Sequence, residues 1–514
     1  MRAGLILAGL ACLLAAGQAS AEPRDARRTP NILLILADDL GYGHLGSYGQ
    51  KKIRTPNLDR LAAQGMRFTS FYAGSSVCAP SRSSLMEGLD TGSTTIRGNT
   101  IMGIVDPSGI EAGRSRFAQL YKQDAGQHPL PAHAVTLAEM LRARGYRTGM
   151  AGKWDLGAFG TSGAPNAQGF DWFYGLTDQR RAHTHYPSEV WRDGRREKTE
   201  NPYALPHRAF RGDPSDLDSP EYDAAPGTQW FGDLLAEEAA DFIERHRATP
   251  FFLYLSLTAP HAALQAPPKA IAEYAGRFPE TPYVNHSDNN GYVSRRNPRA
   301  LQAAMITRMD VNIGRVLDAL DALGLTRETV VLFTSDNGPS GAGGQDIDFF
   351  DSNGPLRGAK RDLYEGGIRV PLIVRWPGVV AEGAVSEHAA AAWDIMPTLA
   401  EIGGRPYAGR TDGISFLPTL TGNASQPAHE SLYWAFYGRG GKQAVRLGRW
   451  KGIRLGAYAN PAAPIALYDL DEDLGESRDV SALHPETVSR ISQVMAQKNR
   501  TSWNPEWSFG DAPK

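Results

Sequence analysis

Three stretches, NILLILADD (31–39), PFFLYLSL (250–257) and TVVLFTSDNG (329–338), are apolar runs with no polar face, and the first and third end in polar residues. A strand that is apolar at every position has to be covered on both sides, and parallel sheets flanked by helices provide that cover. Between these runs lie segments with helical spacing. TPNLDRLAAQG carries a Thr/Asn start signal and a Gly stop, TLAEMLRARG and FGDLLAEEAADFIERH follow, and a long helix is expected over about 299–323. YRTGMAGKW reads as a further strand, and VPLIVRWPG and DIMPTLAEIGG carry the alternation to about 404. The pattern predicts an α/β fold: a large mixed, mainly parallel sheet covered by helices on both faces. Past about 425 the pattern changes. SLYWAFYG, QAVRLGRWKGIRL and IALYDLDED resemble half-buried antiparallel strands, and HPETVSRISQVMAQK a closing helix, which predicts a smaller α+β subdomain over 425–514 after a main domain over 22–424. Two Gly/Pro-rich regions, 98–133 and 156–228, are too polar for core and are expected as irregular walls of a site.

The start, MRAGLILAGLACLLAAGQASAEP, has Arg2, an apolar run and the small-residue end Ala19-Ser20-Ala21. That is the pattern of a signal peptide over 1–21 and predicts export to the periplasm or the medium. No later stretch approaches the roughly 18 apolar residues needed to span a bilayer. A formal charge of −2 gives no reason to expect nucleic acid or an anionic membrane as partner. Cleavage after Ala21 removes Cys12, one of two cysteines. Lipid attachment at Cys12 is the alternative, although LAGLAC leaves little apolar chain before it. Cys78 then stands alone and can form no internal disulfide.

Cys78 lies in SSVCAPSRSSLMEG (75–88), at the head of an expected helix with Arg82 close by. Most free cysteines are small buried hydrophobes, yet a helix N-terminus and a cation both stabilise a thiolate. The polar residues at strand ends bear on the choice, because open α/β sheets bind ligands beyond the carboxyl ends of their strands. Those ends carry Asp38-Asp39, Lys153, His261 and Asp336-Asn337. Either acidic pair alone reads as capping or turn chemistry. Together they offer four oxygen donors, the preference of a hard cation such as Ca²⁺ or Mg²⁺. Lys153, His261 and Lys360, ordinary when taken singly, form with such a metal a site for a sulfate or phosphate ester.

Cys78-Ala79-Pro80-Ser81-Arg82 resembles the sulfatase signature, in which the cysteine is oxidised to formylglycine after translation. The resemblance extends in family order through NILLILADDLGYG, AGKW, PFFLYLSLTAPHAALQ, VVLFTSDNGP, SNGPLRGAKRDLYEGGIRVP and LYDLDEDLGES, from about 30 to 480. It implies an alkaline phosphatase-like sheet and hydrolysis of sulfate monoesters, with aryl sulfates as probes and a sulfated sugar as the expected natural substrate. It places Asp38, Asp39, Asp336 and Asn337 on the metal positions, with Ca²⁺ the usual ion. Cys78 falls on the formylglycine, whose hydrate is metal ligand and nucleophile, and Arg82 on the arginine that steadies it. Lys153, His261 and Lys360 fall on sulfate-contacting positions. In the implied chemistry one geminal hydroxyl attacks sulfur and expels the alcohol; loss of the second hydroxyl's proton then expels sulfate and regenerates the aldehyde. A formylglycine-generating or anaerobic maturating enzyme is the implied partner.

One departure stands out. Many sulfatases read Gly-Lys-Trp-His where this chain has GKWDLG, which puts Asp155 in place of the histidine, and a carboxylate repels a sulfate. DQRRAHTHYPSEVWRDG (178–194) resembles a stretch of sulfatases that act on sulfated sugars; from it His183 is expected as the leaving-group acid, and Arg181 and His185 as substrate contacts. The same stretch also reads as a structural loop, with His261 as the acid. Two other functions remain open at this point: a phosphomonoester or phosphodiester hydrolase of the same superfamily, and a non-catalytic sulfoglycan-binding relative with unmodified Cys78.

Overall fold

The computed structural model describes residues 29–99, 127–225, 227–288 and 291–510. The expected signal peptide, Cys12 and residues 100–126 of the first polar region lie outside them. Ten strands form the main sheet, in the order Ala384–Ser386, Met66–Phe68, Leu372–Arg375, Thr329–Ser335, Asn31–Ala37, Phe251–Ser256, Arg147–Lys153, Trp172–Leu176, Glu189–Arg192, Arg195–Lys198. The central five, from Thr329–Ser335 to Trp172–Leu176, run parallel. Leu372–Arg375 turns against Thr329–Ser335, and a hairpin closes the other edge antiparallel.

Alternation along the central strand shows why it has no polar face. Ile32, Leu34 and Leu36 pack on one side with Leu85, Met86, Leu137, Leu141 and Leu399, which come from three helices. Leu33 and Ile35 pack on the other with Leu58, Leu61, Leu235, Phe242 and Ile313, again from three helices. Both faces are therefore buried, as the apolar runs required.

Within 425–514, four antiparallel strands (Leu432–Phe436, Lys442–Leu447, Trp450–Leu455, Ile465–Asp469) form a second sheet, with the Pro485–Lys498 helix against it. Trp434, Phe436 and Ile453 pack against Tyr72 and Val77, immediately before Cys78. The Trp434 indole N–H also donates to the Ala73 carbonyl at 3.0 Å.

The 156–228 region differs from the irregular wall expected of it. It contributes Trp172–Leu176 and the hairpin Glu189–Arg192/Arg195–Lys198, which extend the main sheet by three strands. The hairpin turns at Asp193-Gly194, both with positive φ (46° and 81°). Asp-Gly is a favoured two-residue turn, and the signal was masked by the charged residues of an edge strand.

Candidate active site

The site is assembled at the carboxyl ends of the central strands. Gly152, next to Lys153, has φ +123°, and a Cβ there would stand 1.8 Å from the Ser256 carbonyl oxygen. Only glycine lets these two strands approach so closely. Asp39, just past the first strand, adopts φ 66°, a conformation that Asp tolerates better than most residues. Cys78 is the first residue of the Cys78–Glu87 helix, whose ten residues are all buried. Pro80 fits because the first turn needs no N–H from it, and Gly88 ends the helix with φ 66°. The helix buries its serines by pairing them: Ser81 Oγ accepts from Gly74 N (3.1 Å), and Ser84 Oγ donates to the Leu89 carbonyl (2.6 Å).

Most of the expected groups converge here. Cys78 Sγ lies 3.5 Å from Asp38 Oδ1 and 3.3 Å from Lys360 Nζ. Lys153 Nζ donates to Asp38 Oδ2 (2.8 Å), and Lys360 Nζ to Asp39 Oδ1 (2.6 Å). Arg82 grips Asp336 Oδ2 through Nε (3.1 Å) and Nη2 (2.9 Å), and its Nη1 donates to the Lys153 carbonyl (2.8 Å) and Ser256 Oγ. Asp336 Oδ1 accepts from the Asp39 amide (3.1 Å), and Asn337 Nδ2 donates to Asp39 Oδ1 (2.8 Å). Sequence reasoning missed Ser256, although it too is a polar residue ending an apolar strand.

Burial opposes ionisation of Asp38, but Lys153, His261, Arg82 and Lys360 outweigh it and hold the carboxyl below its usual range. Burial, with Asp38 nearby, pushes the Cys78 thiol up. It is therefore a protonated, weak nucleophile despite its place at a helix N-terminus.

The donors suit a divalent cation. Asp38, Asp39, Cys78 and His261 bring ligand atoms within 4.8 Å of one another. Asp39 Oδ2 and Asn337 Oδ1 are buried with no hydrogen-bond partner. His261 Nδ1 donates to the Ala262 carbonyl, so a neutral ring leaves Nε2 unprotonated, 3.6 Å from Asp39 Oδ2. Two acceptors facing each other need a cation or a proton between them.

The 178–194 stretch divides. The His183 ring stacks on His261 (4.5 Å between centroids, 12°), and Tyr292 flanks both. His207 Nδ1 donates to the Gly291 carbonyl (2.6 Å), which leaves its Nε2 to accept from His183 Nδ1 (2.9 Å). His183 Nε2 is then a buried acceptor with no hydrogen-bond partner. Burial, His261 and His207 hold its pKa well below the usual value. This is the reverse of the proton donor expected at His183. His207 and Tyr292 were not singled out in the sequence; His207 lies 24 residues on in the same polar region, and Tyr292 comes from a loop far away in the chain. His185 is 0 % exposed, and its nitrogens meet the His261 carbonyl (2.8 Å) and Thr258 Oγ1 (3.2 Å). It braces the His261 loop and does not line the cleft as expected. Arg181 pairs with Glu189 (3.5 Å) beside Tyr203.

Comparisons over the whole chain give its family. A family model described as Sulfatase matches residues 30–404, and one described as N-sulphoglucosamine sulphohydrolase, C-terminal, matches residues 358–501. The chain belongs to the sulfatase family. This sulfatase is 34% identical over 521 residues to arylsulfatase A of Homo sapiens, covering 94% of this chain and 89% of that protein. It is 28% identical to an N-acetylgalactosamine-6-O-sulfatase of Bacteroides thetaiotaomicron, covering 95% and 97%. The crystal structure of Ps i-CgsB in complex with k-i-k-neocarrahexaose superposes with TM-score 0.71 at 25% identity, covering 91% of this chain and 92% of that one. This sulfatase is a sulfuric ester hydrolase.

Proposed function

We propose that this sulfatase is exported and removes sulfate from a sulfated carbohydrate, using formylglycine made from Cys78 by a maturation enzyme and a bound Ca²⁺ ion. The observation that carries the reading is Cys78 itself: buried at the head of its helix, in contact with both Asp38 and Lys360, with burial pushing its thiol up. A thiol in that state is a poor catalyst and a well-placed precursor. The sugar class is supported by relatives and neighbours whose names include N-acetylgalactosamine-6-O-sulfatase and a neocarrahexaose complex.

When present, the formylglycine hydrate supplies the nucleophile, and the cation, held by Asp38, Asp39, Asp336 and Asn337, supplies the charge that lowers its pKa. Lys153 and Lys360 offset the negative charge of the sulfuryl oxygens. Arg82, tied to Asp336, Lys153 and Ser256, keeps the strand ends in register. His183 Nε2 accepts from a sugar hydroxyl. His261 is the other candidate for the proton donor at the leaving oxygen; burial and Lys360 hold its pKa down to about 3, so it serves only where the sulfuryl anion raises its proton affinity.

Mass analysis of the Cys78 peptide is the first test, since conversion to the aldehyde lowers its mass by about 18 Da. Converted protein is then screened on defined sulfated mono- and oligosaccharides, and on nitrophenyl sulfate against nitrophenyl phosphate. Faster turnover of the phosphate, or full activity with an unmodified thiol, overturns the reading.

A further inference from the structure

Among the described residues, Asp155 is the one carboxyl group at the strand ends with no hydrogen bond to either oxygen. It follows the Arg147–Lys153 strand in a left-handed conformation (φ 67°), and its side chain is fully buried. Oδ1 and Oδ2 have no hydrogen-bond partner among the described residues. Its nearest cation, Lys153 Nζ, stands 4.0 Å from Oδ2, too far for a hydrogen bond, and already donates to Asp38 Oδ2 at 2.8 Å.

An ionised carboxylate left this way is strongly disfavoured, and a neutral acid much less so. The local charge favours the same state. Asp38, Asp39 and Asp336 are balanced by Lys153, Lys360 and Arg82, each of these side chains 5 % exposed or less. A divalent cation then makes the site net positive, ready for an anion, and an ionised Asp155 would cancel half of that charge. The gap to Lys153 is also suited to a shared ligand. One oxygen at about 2.8 Å from each group spans 4.0 Å comfortably.

We propose that Asp155 binds the substrate's sulfuryl group as a neutral carboxylic acid, donating its proton in a hydrogen bond to an oxygen that Lys153 also holds. The inference rests on Lys153 being part of the sulfate site. An acid in this place turns a repulsive side chain into a donor, and it makes sulfate binding depend on a proton. The groups that face Asp155 are Lys153 on its own strand, Arg82 on the Cys78 helix, Asp38 after the central strand and Asp178 after the neighbouring strand. Burial pushes its pKa up to about 7, against the pull of Lys153 and Arg82. An incoming anion raises it further, so affinity is full below about pH 7 and is lost as the free enzyme deprotonates above it.

The test is inhibition of nitrophenyl sulfate hydrolysis by inorganic sulfate, measured against pH on enzyme with confirmed formylglycine. The wild-type inhibition constant is expected to be flat at low pH and to rise about tenfold per pH unit above neutrality. Asp155→Asn keeps a donor of the same shape without the titration, so its constant stays near the wild-type low-pH value throughout. Calorimetry in buffers of different ionisation enthalpy gives a second readout: wild-type enzyme takes up one proton per sulfate bound above neutrality, and Asp155→Asn takes up none. The same pH slope in both proteins overturns the inference alone. So does a variant that binds sulfate more tightly but no longer turns over, since Asp155 would then act ionised, as a base. No inhibition by sulfate in wild-type enzyme overturns the anion site, and the inference with it.

Discussion

Lys153 and Lys451 are both 0 % exposed ammonium groups, yet they sit in opposite kinds of surroundings. Lys451 donates to Glu365 Oε1 at 2.7 Å and pairs with Glu476 Oε1 at 3.1 Å. Glu365 Oε2 in turn accepts from the Tyr72 hydroxyl (2.7 Å) and Arg369 Nη1 (3.1 Å), and Arg446 donates to Tyr72 (2.7 Å). This network joins the terminal sheet to the main domain, and each charge in it faces an opposite charge from the protein; Glu476 Oε1 makes no hydrogen bond among the described residues but has the Lys451 ammonium 3.1 Å away. Around Lys153 the pairing is incomplete: Asp39 Oδ2, Asn337 Oδ1 and both oxygens of Asp155 have no hydrogen-bond partner among the described residues. A closed cluster of buried charge fixes an interface. An open one, at the same depth, is a place for a ligand, because the desolvation cost is recovered only when the ligand arrives.

The largest expected effect separates chemistry from packing. Cys78→Ala should reduce turnover by about a millionfold, the scale of losing a nucleophile, while circular dichroism and the unfolding midpoint stay close to wild type. Asp39→Ala comes next. It removes an oxygen donor with a free atom and should take both the divalent ion and the activity, read by elemental analysis beside turnover; active enzyme with stoichiometric zinc would contradict the oxygen-rich site. The closed cluster should answer in the other currency. Lys451→Met removes the cation shared by Glu365 and Glu476, leaving Glu365 to Arg369 alone, and should cost about 3–5 kcal/mol in urea unfolding, with kcat of the folded protein changed less than about twofold.

Acid sharpens the contrast further. Lys451, Arg369 and Arg446 overcome burial and hold the Glu365 pKa at about 2, below its unfolded value near 4.5. Its contribution to stability is therefore complete above pH 4.5 and is lost as pH falls towards 2. Asp155 has the opposite sign. Its raised pKa makes the folded state hold a proton that the unfolded chain releases, so it weakens the fold as pH rises from 3.8 towards 7. Unfolding curves of Glu365→Gln and Asp155→Asn should thus diverge from wild type in different windows, the first losing its deficit in acid and the second gaining relative stability towards neutral pH. The smallest effect belongs to His183→Ala. Loss of one accepting nitrogen should raise KM for a sugar sulfate about fivefold and leave nitrophenyl sulfate hydrolysis unchanged; equal losses of kcat on both substrates would restore His183 as the acid.

The apolar strands and most amphipathic helices were legible because each of those signals is local. A strand buried on both faces has to be apolar at successive positions, and a helix over a sheet has to show one stripe. The edge hairpin at Asp193-Gly194 was harder to read, because a half-exposed strand carries charge and resembles a loop.

The sequence by itself determined that Asp38-Asp39, Lys153, His261 and Asp336-Asn337 lie near one edge of the sheet, since strand ends of a parallel sheet share a side; Cys78, at the head of a helix, was placed with them only by the family resemblance. What each group does there was decided only by the tertiary structure. His183 became an acceptor because His207 and Gly291, distant in the chain, fix its tautomer. His185 became a brace because the His261 carbonyl reaches it. Asp155 is fully buried with no hydrogen-bond partner among the described residues, which is the ground for reading it as a neutral donor. Protonation state and hydrogen-bond direction depend on desolvation and on partners within a few ångströms, and those partners come from parts of the chain that no local pattern connects.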